Sequence, residues 1–540
     1  MNTPKLTSSP GLRSLVAGQS FLLGQATWYY RPQAIRPSVR TYAQEAAQRK
    51  ASDDASTYSS PSNKSGVSSP TSSSTSHDPN QSMPDGWEDE ADLSINSFSQ
   101  LPHRFFGTNQ HIRINEDFKE ALRQILWQFR APIRYAFAYG SGVFPQSMSS
   151  SPDPTALSPH PNPPEAVRKW QAGGSKIIDF IFGVSHTQHW HSLNIQQHPE
   201  HYSALRHAGS YAVSRVQDSI GAGVYFNPYI TVNGTMIKYG VVNLDTICRD
   251  LSEWDTLYLA GRLQKPVKIL RDDPRVRLAN QINLMSAVRT ALLMLPEKFT
   301  EQALYEKIAG LSYLGDPRMN SYYGGENPKK VSNIVGAQMP NFRQLYVPLI
   351  DNLPNVRFND HRVPNVPGWE TEQVLANVTG GAGTSLKEYD GGRDGFNMEQ
   401  DMDPVKRGNM VRRLPKTFRQ KLYYQYQKKF QIPGSAFDKI VDESKDEDAT
   451  SFRRRQGGEF EQRIGMQDDL PEIVGRCVRN TVAWPSTSQS IKGIVTAGVG
   501  RSWKYYSEKR AKSQQKSPSK QDSEEVKEKK EQGEKKEKES

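Results

Sequence analysis

At 540 residues the chain is longer than one hydrophobic core serves, since cores stop growing near ~250–300 residues, yet only 35% of it is hydrophobic, so a sizeable part lies outside any core. The net charge of +11, from 69 Lys and Arg against 58 Asp and Glu, favours polyanionic partners: nucleic acid, an anionic membrane surface or phosphorylated substrates. Two cysteines, Cys248 and Cys477, exclude a disulfide framework and a four-thiolate zinc site and read as buried thiols; no run reaches the ~18 apolar residues of a membrane span, so any membrane contact is peripheral.

The N-terminus carries Lys5, Arg13, Arg31, Arg36 and Arg40 before its first acid, Glu45, with Ser and the Phe21-Leu22 pair interleaved. This is the pattern of a mitochondrial presequence over 1–42, because import uses a positive amphipathic segment; a plain basic arm is the alternative. A Ser/Pro-rich linker follows over 43–100, and folded sequence starts near Leu101. Asn115 is placed to cap a helix whose apolar face is Phe118, Leu122, Ile125, Leu126 and Phe129. Tyr135, Phe137 and Tyr139 alternate with Ala136 and Ala138 as a strand that ends at Gly140-Ser141-Gly142. A Ser/Pro-rich inserted loop over 147–174 precedes a second strand, Lys176 to Phe182, apolar on both faces except for Asp179. A strand from Met236 to Val242, helical segments from Leu244 to Leu263 and from Val276 to Leu295, and a helix capped by Thr300 come next. A flexible Gly-rich insertion is expected over 371–411, weak helical periodicity after Leu414, and a solvated Lys/Glu tail over 508–540.

A strand ending in Gly-Ser, followed by a strand carrying a carboxylate, is the minimal plan of a polymerase-β-type nucleotidyltransferase. Gly140, Ser141, Gly142 and nearby amides bind triphosphate oxygens, and Asp179 holds Mg²⁺. An ordinary glycine turn would look the same, but an ionised carboxylate in an apolar strand is costly unless paired or bound to metal. Position 181 is Ile, so the second carboxylate of the usual Asp-x-Asp pair is missing. Asp245 and Asp250 are the nearest candidates for a second ligand, and both also suit helix capping or a surface. Six histidines crowd between His186 and His207 without cysteine; His191 and His201 are the first choices as hydrogen-bonding groups near a phosphate, ahead of zinc. Arg262, Lys265 and Lys268 form a basic cluster suited to phosphate, or a solvated helix end. Ile491 to Val495 and Trp503 to Tyr506 mix apolar and basic residues in a way that suits an anionic bilayer or single-stranded nucleic acid.

Tyr139-Gly140-Ser141-Gly142-Val143-Phe144, Asp179-Phe180, Trp190-His191-Ser192, Gly221-Ala222-Gly223-Val224-Tyr225, Lys238-Tyr239-Gly240-Val241 and the string Tyr258 to Val267 together resemble the mitochondrial translocator assembly and maintenance family. The likeness continues through Ile308 to Tyr313, Gly315-Asp316 and Lys492 to Gly498, spanning roughly 101–500. The resemblance implies formation of CDP-diacylglycerol and pyrophosphate from CTP and phosphatidate, for cardiolipin synthesis, on the matrix side of the mitochondrial inner membrane. It implies an α/β fold: a polymerase-β-type nucleotidyltransferase domain over 101–275, a helical winged-helix-like domain over 276–370 and a C-terminal membrane-binding segment within 412–507, held peripherally on anionic lipids. Catalytic roles fall on Asp179, Ser141 and Lys268. Phosphate contacts fall on Gly140, Ser141, Gly142, Arg262, Lys265, Lys268 and His191, and metal contacts on Asp179 and Asp250. Nucleic acid is not expected as a partner. The rival readings are a nucleotidyltransferase acting on RNA and a non-catalytic scaffold supporting protein import.

Overall fold

The computed structural model describes residues 93–144, 177–319, 327–359, 395–443 and 456–498. The presequence, the linker up to 92, the 147–174 loop, the insertion up to 394, Trp503 to Tyr506 and the Lys/Glu tail lie outside them. The described chain begins earlier than Leu101: Ile95 and Leu101 are both buried, and Ser97 and Gln100 form a reciprocal capping box between them.

Helix α1 (Glu116–Trp127) is capped by the Asn115 side chain, which accepts from the Phe118 amide, and buries Phe118, Leu122 and Ile125. The main sheet is built from β1 (Tyr135–Tyr139), β2 (Ile178–Val184), β3 (Tyr225–Val232), β4 (Thr235–Asn243) and β5 (Lys268–Arg271), in the order β3-β4-β2-β1-β5. β2 and β4 are parallel; every other pairing is antiparallel. The β3–β4 hairpin turns on Asn233 and Gly234, both at positive φ, the pair that a two-residue turn matched to strand twist requires. Helices α2 (Thr187–Gln197) and α3 (Gly209–Ser219) follow β2. On one face of the sheet Phe180, Phe182 and Tyr239 meet Phe129 and Trp190, with Phe129 lying 5.2 Å from Phe182 and 5.1 Å from Tyr239. On the other face, helix α4 (Leu244–Glu253) packs so closely that a Cβ on Gly183 would sit 3.0 Å from Leu244 and Ile247 side-chain carbons.

The helix expected from Leu244 to Leu263 is two helices. α4 ends at Trp254, which is left-handed with φ 57°, and the chain loops before the one-turn α5 (Ala260–Leu263). Helix α6 (Pro274–Leu293), capped by Asp273, is buried around nearly its whole circumference and joins the sheet to the helices that follow. These are α7 (Glu301–Gly310), capped by Thr300 as expected, α8 (Lys330–Ala337) and α9 (Met339–Ile350).

A second, antiparallel sheet of β6 (Lys298–Thr300), β7 (Val356–Phe358) and β8 (Asn397–Gln400) has the order β6-β8-β7. Its central strand, and α10 (Pro404–Arg412) after it, fall inside the span expected to be a flexible insertion; residues 395–411 belong to the folded unit. Glu301, fully buried, holds this region together by accepting from Arg343 at 2.9 and 2.8 Å and from the Tyr305 hydroxyl at 3.0 Å. Helices α11 (Lys416–Phe430), α12 (Gly434–Glu443) and α13 (Glu459–Gly465) lead to α14 (Leu470–Ala497), which runs back to β3. Both cysteines are buried free thiols. Among the described residues no helix is long and apolar enough to cross a membrane.

Candidate active site

Strand pairing assembles the first half of the site. Tyr139 at the end of β1 is opposite Asp179 on β2, and Asp179 is opposite Lys238 on β4, so the three side chains share one face of the sheet. The Lys238 ammonium lies 3.7 Å from Asp179 Oδ1, both side chains about three-quarters buried. Just beyond Tyr139 the backbone turns at Gly140, whose φ of +84° suits glycine and whose absent Cβ would sit 3.2 Å from Asp179 Oδ2. The turn closes with the Val143 and Phe144 amides donating to the Gly140 carbonyl. Gly142 fits against Ile177, where a Cβ would approach its carbonyl to 2.8 Å, while Ser141 is exposed at the tip. The turn leaves Ser141 open to a ligand beside the Asp179 carboxylate.

The second half comes from the loop between α4 and α5. Asp250 is buried, and its carboxylate accepts from the Thr256, Leu257, Leu259 and Ala260 amides at 2.8, 3.0, 2.8 and 3.1 Å and from the Thr256 hydroxyl at 2.7 Å. That loop delivers Tyr258 and Arg262. The Arg262 guanidinium lies 3.8 Å from the Tyr258 ring centroid, and its Nε donates to the Tyr139 hydroxyl at 3.3 Å. Burial pushes the Tyr139 hydroxyl's pKa up and Asp179 adds to this, while Arg262 and Lys238 oppose it; all three charges therefore bear on one phenol.

Lys265 extends the cluster. It donates to the Gly261 carbonyl and, at 2.9 Å, to Ser312 Oγ, and it lies 5.1 Å from the Tyr313 ring, which Lys330 approaches to 5.2 Å. The close approach depends on Gly261, since a Cβ there would be 2.2 Å from that of Ser312. Burial first, then the charges of Arg262 and Lys330, lower the Lys265 pKa to about 7. Arg318 is also near enough to oppose the charge on Arg262, although a bidentate contact from its Nε holds it to Asp316 at 2.9 and 3.1 Å. Lys238 thus adjoins the Asp179 carboxylate, and Arg262, reaching Tyr139 beside it, continues into a cluster of further cations, Lys265, Lys330 and Arg318.

The structure brings Gly140, Ser141, Gly142, Asp179, Arg262 and Lys265 together and places four other expected residues elsewhere. Lys268 pairs with Ala138 and so projects from the opposite face to Asp179, where its ammonium donates to the Ile112 carbonyl at 2.8 Å. His191 is fully buried, accepting from the Tyr202 hydroxyl at 2.9 Å and donating to Gln217 at 2.7 Å, and burial lowers its pKa to about 4. It is a neutral core imidazole rather than a phosphate contact. Asp250 spends both oxygens on the loop, a positioning task in place of the expected metal contact, and Asp245 pairs with Arg275 at the far end of β4, five residues or ~16 Å of strand from Lys238. Sequence reasoning assigned no role to Lys238, Arg318 or Lys330; the only signal for Lys238 was its place in a motif string.

A divalent hard cation fits the remaining donor set. Mg²⁺ commonly takes one or two protein carboxylates and completes its shell with water and substrate phosphates, and Asp179 is a carboxylate about one-quarter exposed beside the turn that exposes Ser141. Replacing Asp250 with Asn turns an amide NH₂ toward backbone N–H groups. Asp250→Asn is expected to lower the unfolding free energy by about 1.5–3 kcal/mol in urea titrations and to raise hydrogen exchange at residues 256–260 above that of the α6 core.

Residues 122–512 match the family described as mitochondrial phosphatidate cytidylyltransferase. The chain is 35% identical to the Schizosaccharomyces pombe protein named mitochondrial phosphatidate cytidylyltransferase over 405 residues, covering 75% of this chain and 86% of that one. It is 36% identical to the protein of the same name from Xenopus laevis, covering 72% and 92%, and 43% identical to that from Saccharomyces cerevisiae over a shorter stretch, 47% and 60%. The matched span contains the glycine turn, Asp179, the Asp250 loop and the cation cluster, and the chain belongs to the mitochondrial phosphatidate cytidylyltransferase family.

Proposed function

We propose that the chain transfers the cytidylyl group of CTP to phosphatidate, giving CDP-diacylglycerol and pyrophosphate. The observation that carries this reading is the single face shared by Tyr139, Asp179 and Lys238, flanked by a glycine turn and the Arg262–Lys265 cations. A phosphate oxygen of phosphatidate attacks the α-phosphorus of CTP, a P–O bond forms, and the bond to the β-phosphate oxygen breaks as pyrophosphate leaves. The nucleophile is already anionic, so no general base is needed and placement and charge dominate. Amides at Gly140 to Gly142 and the Ser141 hydroxyl seat the phosphates. Asp179 would hold Mg²⁺, which supplies charge neutralisation for the triphosphate when bound. Arg262 and Lys265 offset charge on the departing pyrophosphate and the arriving lipid phosphate, and Lys238 orients the Asp179 carboxylate.

The second half of α14 suits a lipid acceptor. Trp484, Ile491 and Val495 recur at spacings of seven and four, Ile494 stands beside them, and all four are more than half exposed, while Lys492 and Thr496 turn inward. We assign this stripe to peripheral contact with the anionic surface of the mitochondrial inner membrane, on its matrix side.

Radiolabelled CTP offered with phosphatidate-containing vesicles or with RNA tests the acceptor: label is expected in the lipid phase, dependent on Mg²⁺, and label in RNA would overturn the reading. Asp179→Asn is expected to cut turnover at least ~100-fold with unchanged circular dichroism. At pH 8 Lys265, with its pKa near 7, is largely neutral; a triphosphate beside it favours the charged form, so CTP binding should take up as much as one proton. Calorimetry in two buffers of different ionisation enthalpy should register that uptake in the native protein and lose it in Lys265→Met. In sedimentation with phosphatidate vesicles, Trp484→Ser combined with Ile491→Ser should leave the protein in the supernatant while CTP binding persists.

A further inference from the structure

A second cationic surface lies away from the candidate site, where α1 ends and β1 begins. A cleft of about 460 Å³ opens there, bounded by Arg123, Leu126, Trp127, Arg130, Leu270 and Arg271, within the ~300–1,000 Å³ range of small-ligand sites. The Trp127 ring is 65% exposed, and the Arg123 guanidinium stands 5.9 Å from its centroid. Arg130 and Arg271 are exposed, and among the described residues neither has an acidic partner. An anion entering the cleft therefore meets two guanidiniums with no ion pair to break. Guanidiniums take phosphate oxygens bidentately, and an indole suits the interface of a bilayer, where its apolar body meets acyl chains and its N–H stays wet. A free phosphate would use the arginines and leave Trp127 in water.

The cleft is tied to the end of α14. Gln197 on α2 grips the chain beside Trp127, donating to the Gln128 carbonyl at 2.7 Å and accepting from the Arg130 amide at 2.8 Å. The Phe129 ring lies 6.2 Å from that of His201, two residues before Ser203, whose hydroxyl donates to the Val495 carbonyl at 3.0 Å. The edge of the cleft is thus within ~25 Å of the last turn of α14. The two are also on different sides of the sheet's long dimension: α14 runs beside β3, and Leu270 and Arg271 belong to β5, the opposite edge strand, four inter-strand steps or ~19 Å away. A single helix stripe resting on a bilayer leaves the molecule free to rock about the helix axis. A contact at the far edge of the sheet stops that motion.

We propose that this cleft binds the headgroup of an anionic glycerophospholipid at a bilayer surface, with Arg130 and Arg271 on the phosphate and Trp127 in the interface, as a second membrane contact across the sheet from α14. The inference rests on the peripheral membrane contact proposed for α14. Two rigidly linked contacts bind more tightly than either alone and set the tilt of the sheet, and with it the angle at which the face bearing Asp179 meets the lipid.

The test is co-sedimentation of the full-length protein with vesicles of phosphatidylcholine mixed with phosphatidylglycerol. Arg130→Gln combined with Arg271→Gln is expected to weaken binding ~10–30-fold with unchanged melting temperature and CTP affinity, and Arg130→Lys combined with Arg271→Lys to stay within ~3-fold of the native protein. The emission that Trp127→Phe removes should be quenched when the vesicles carry brominated acyl chains. Native vesicle affinity in the double Gln variant, or no quenching of that emission, overturns the cleft, and is the result expected if it serves a free phosphate or a second protein chain instead. Trp484→Ser combined with Ile491→Ser separates the two contacts. Loss of binding in that variant alone leaves α14 as the membrane contact and sinks the cleft, and loss in the arginine variant alone does the reverse. A native protein that leaves every vesicle in the pellet unbound overturns both.

Discussion

The arrangement of the site depends on one buried carboxylate. Between α4 and α5 the chain passes through Trp254 and Leu257, both at positive φ, a conformation that side chains with a Cβ resist. The Thr256, Leu257, Leu259 and Ala260 amides donate to a side chain rather than to backbone carbonyls. Asp250 supplies one carboxylate to four amides and a hydroxyl, which compensates both its own desolvation and the loop's unmet donors. Asn283 on α6 secures the other side, accepting from the Trp254 indole at 2.9 Å and donating to the Ala260 carbonyl at 3.1 Å. Tyr258 and Arg262 reach Tyr139 because this loop has one shape.

Sheet register then decides which residues act together. Asp179 was legible in the sequence because a carboxylate in an otherwise apolar strand is conspicuous, and the glycine turn because an alternating strand stops there. Lys238 was not, because its position opposite Asp179 is a pairing between strands nearly sixty residues apart, with no local trace. Lys268 shows the reverse error. Arg262, Lys265 and Lys268 stand at steps of three and read as one cluster, but the chain changes from helix to strand at Pro266, and the period of two then sends Lys268 to the other face. A single backbone transition separates the two cations of the Tyr139–Ser312 cluster from one that braces the Ile112 carbonyl.

The helical part was legible where caps and periodicity are local, as at Thr300 and α7, and illegible where a short strand pairs across the chain. β8 has four residues, follows a glycine-rich stretch, and gains its stability from β6 and β7 and from the Glu301–Arg343 pair behind them. Four residues carry too little periodicity to mark a strand. The fate of Asp250 was hidden for a related reason. A helix-end acid normally caps its own helix or faces water, and its real partners belong to an irregular loop six to ten residues on.

These pieces meet at α14. Its middle passes so near Gly315 that a Cβ there would lie 2.3 Å from the Arg479 carbonyl, which leaves no slack between the helix and the turn that follows Ser312 and Tyr313. Ser312 receives the Lys265 ammonium, and Tyr313 faces both Lys265 and Lys330. Farther along, Gln489 donates to the Val224 carbonyl at 2.9 Å and Lys492 to the Ile220 carbonyl at 2.6 Å, pinning the same helix beside β3, which pairs with the strand bearing Lys238. The apolar stripe and the cations of the site are therefore parts of one rigid connection rather than of separate mobile elements. On the proposed function, an acceptor whose phosphate lies at a bilayer surface and whose acyl chains stay within it would use this connection: the depth at which α14 met the lipid would fix where the headgroup met Arg262 and Lys265.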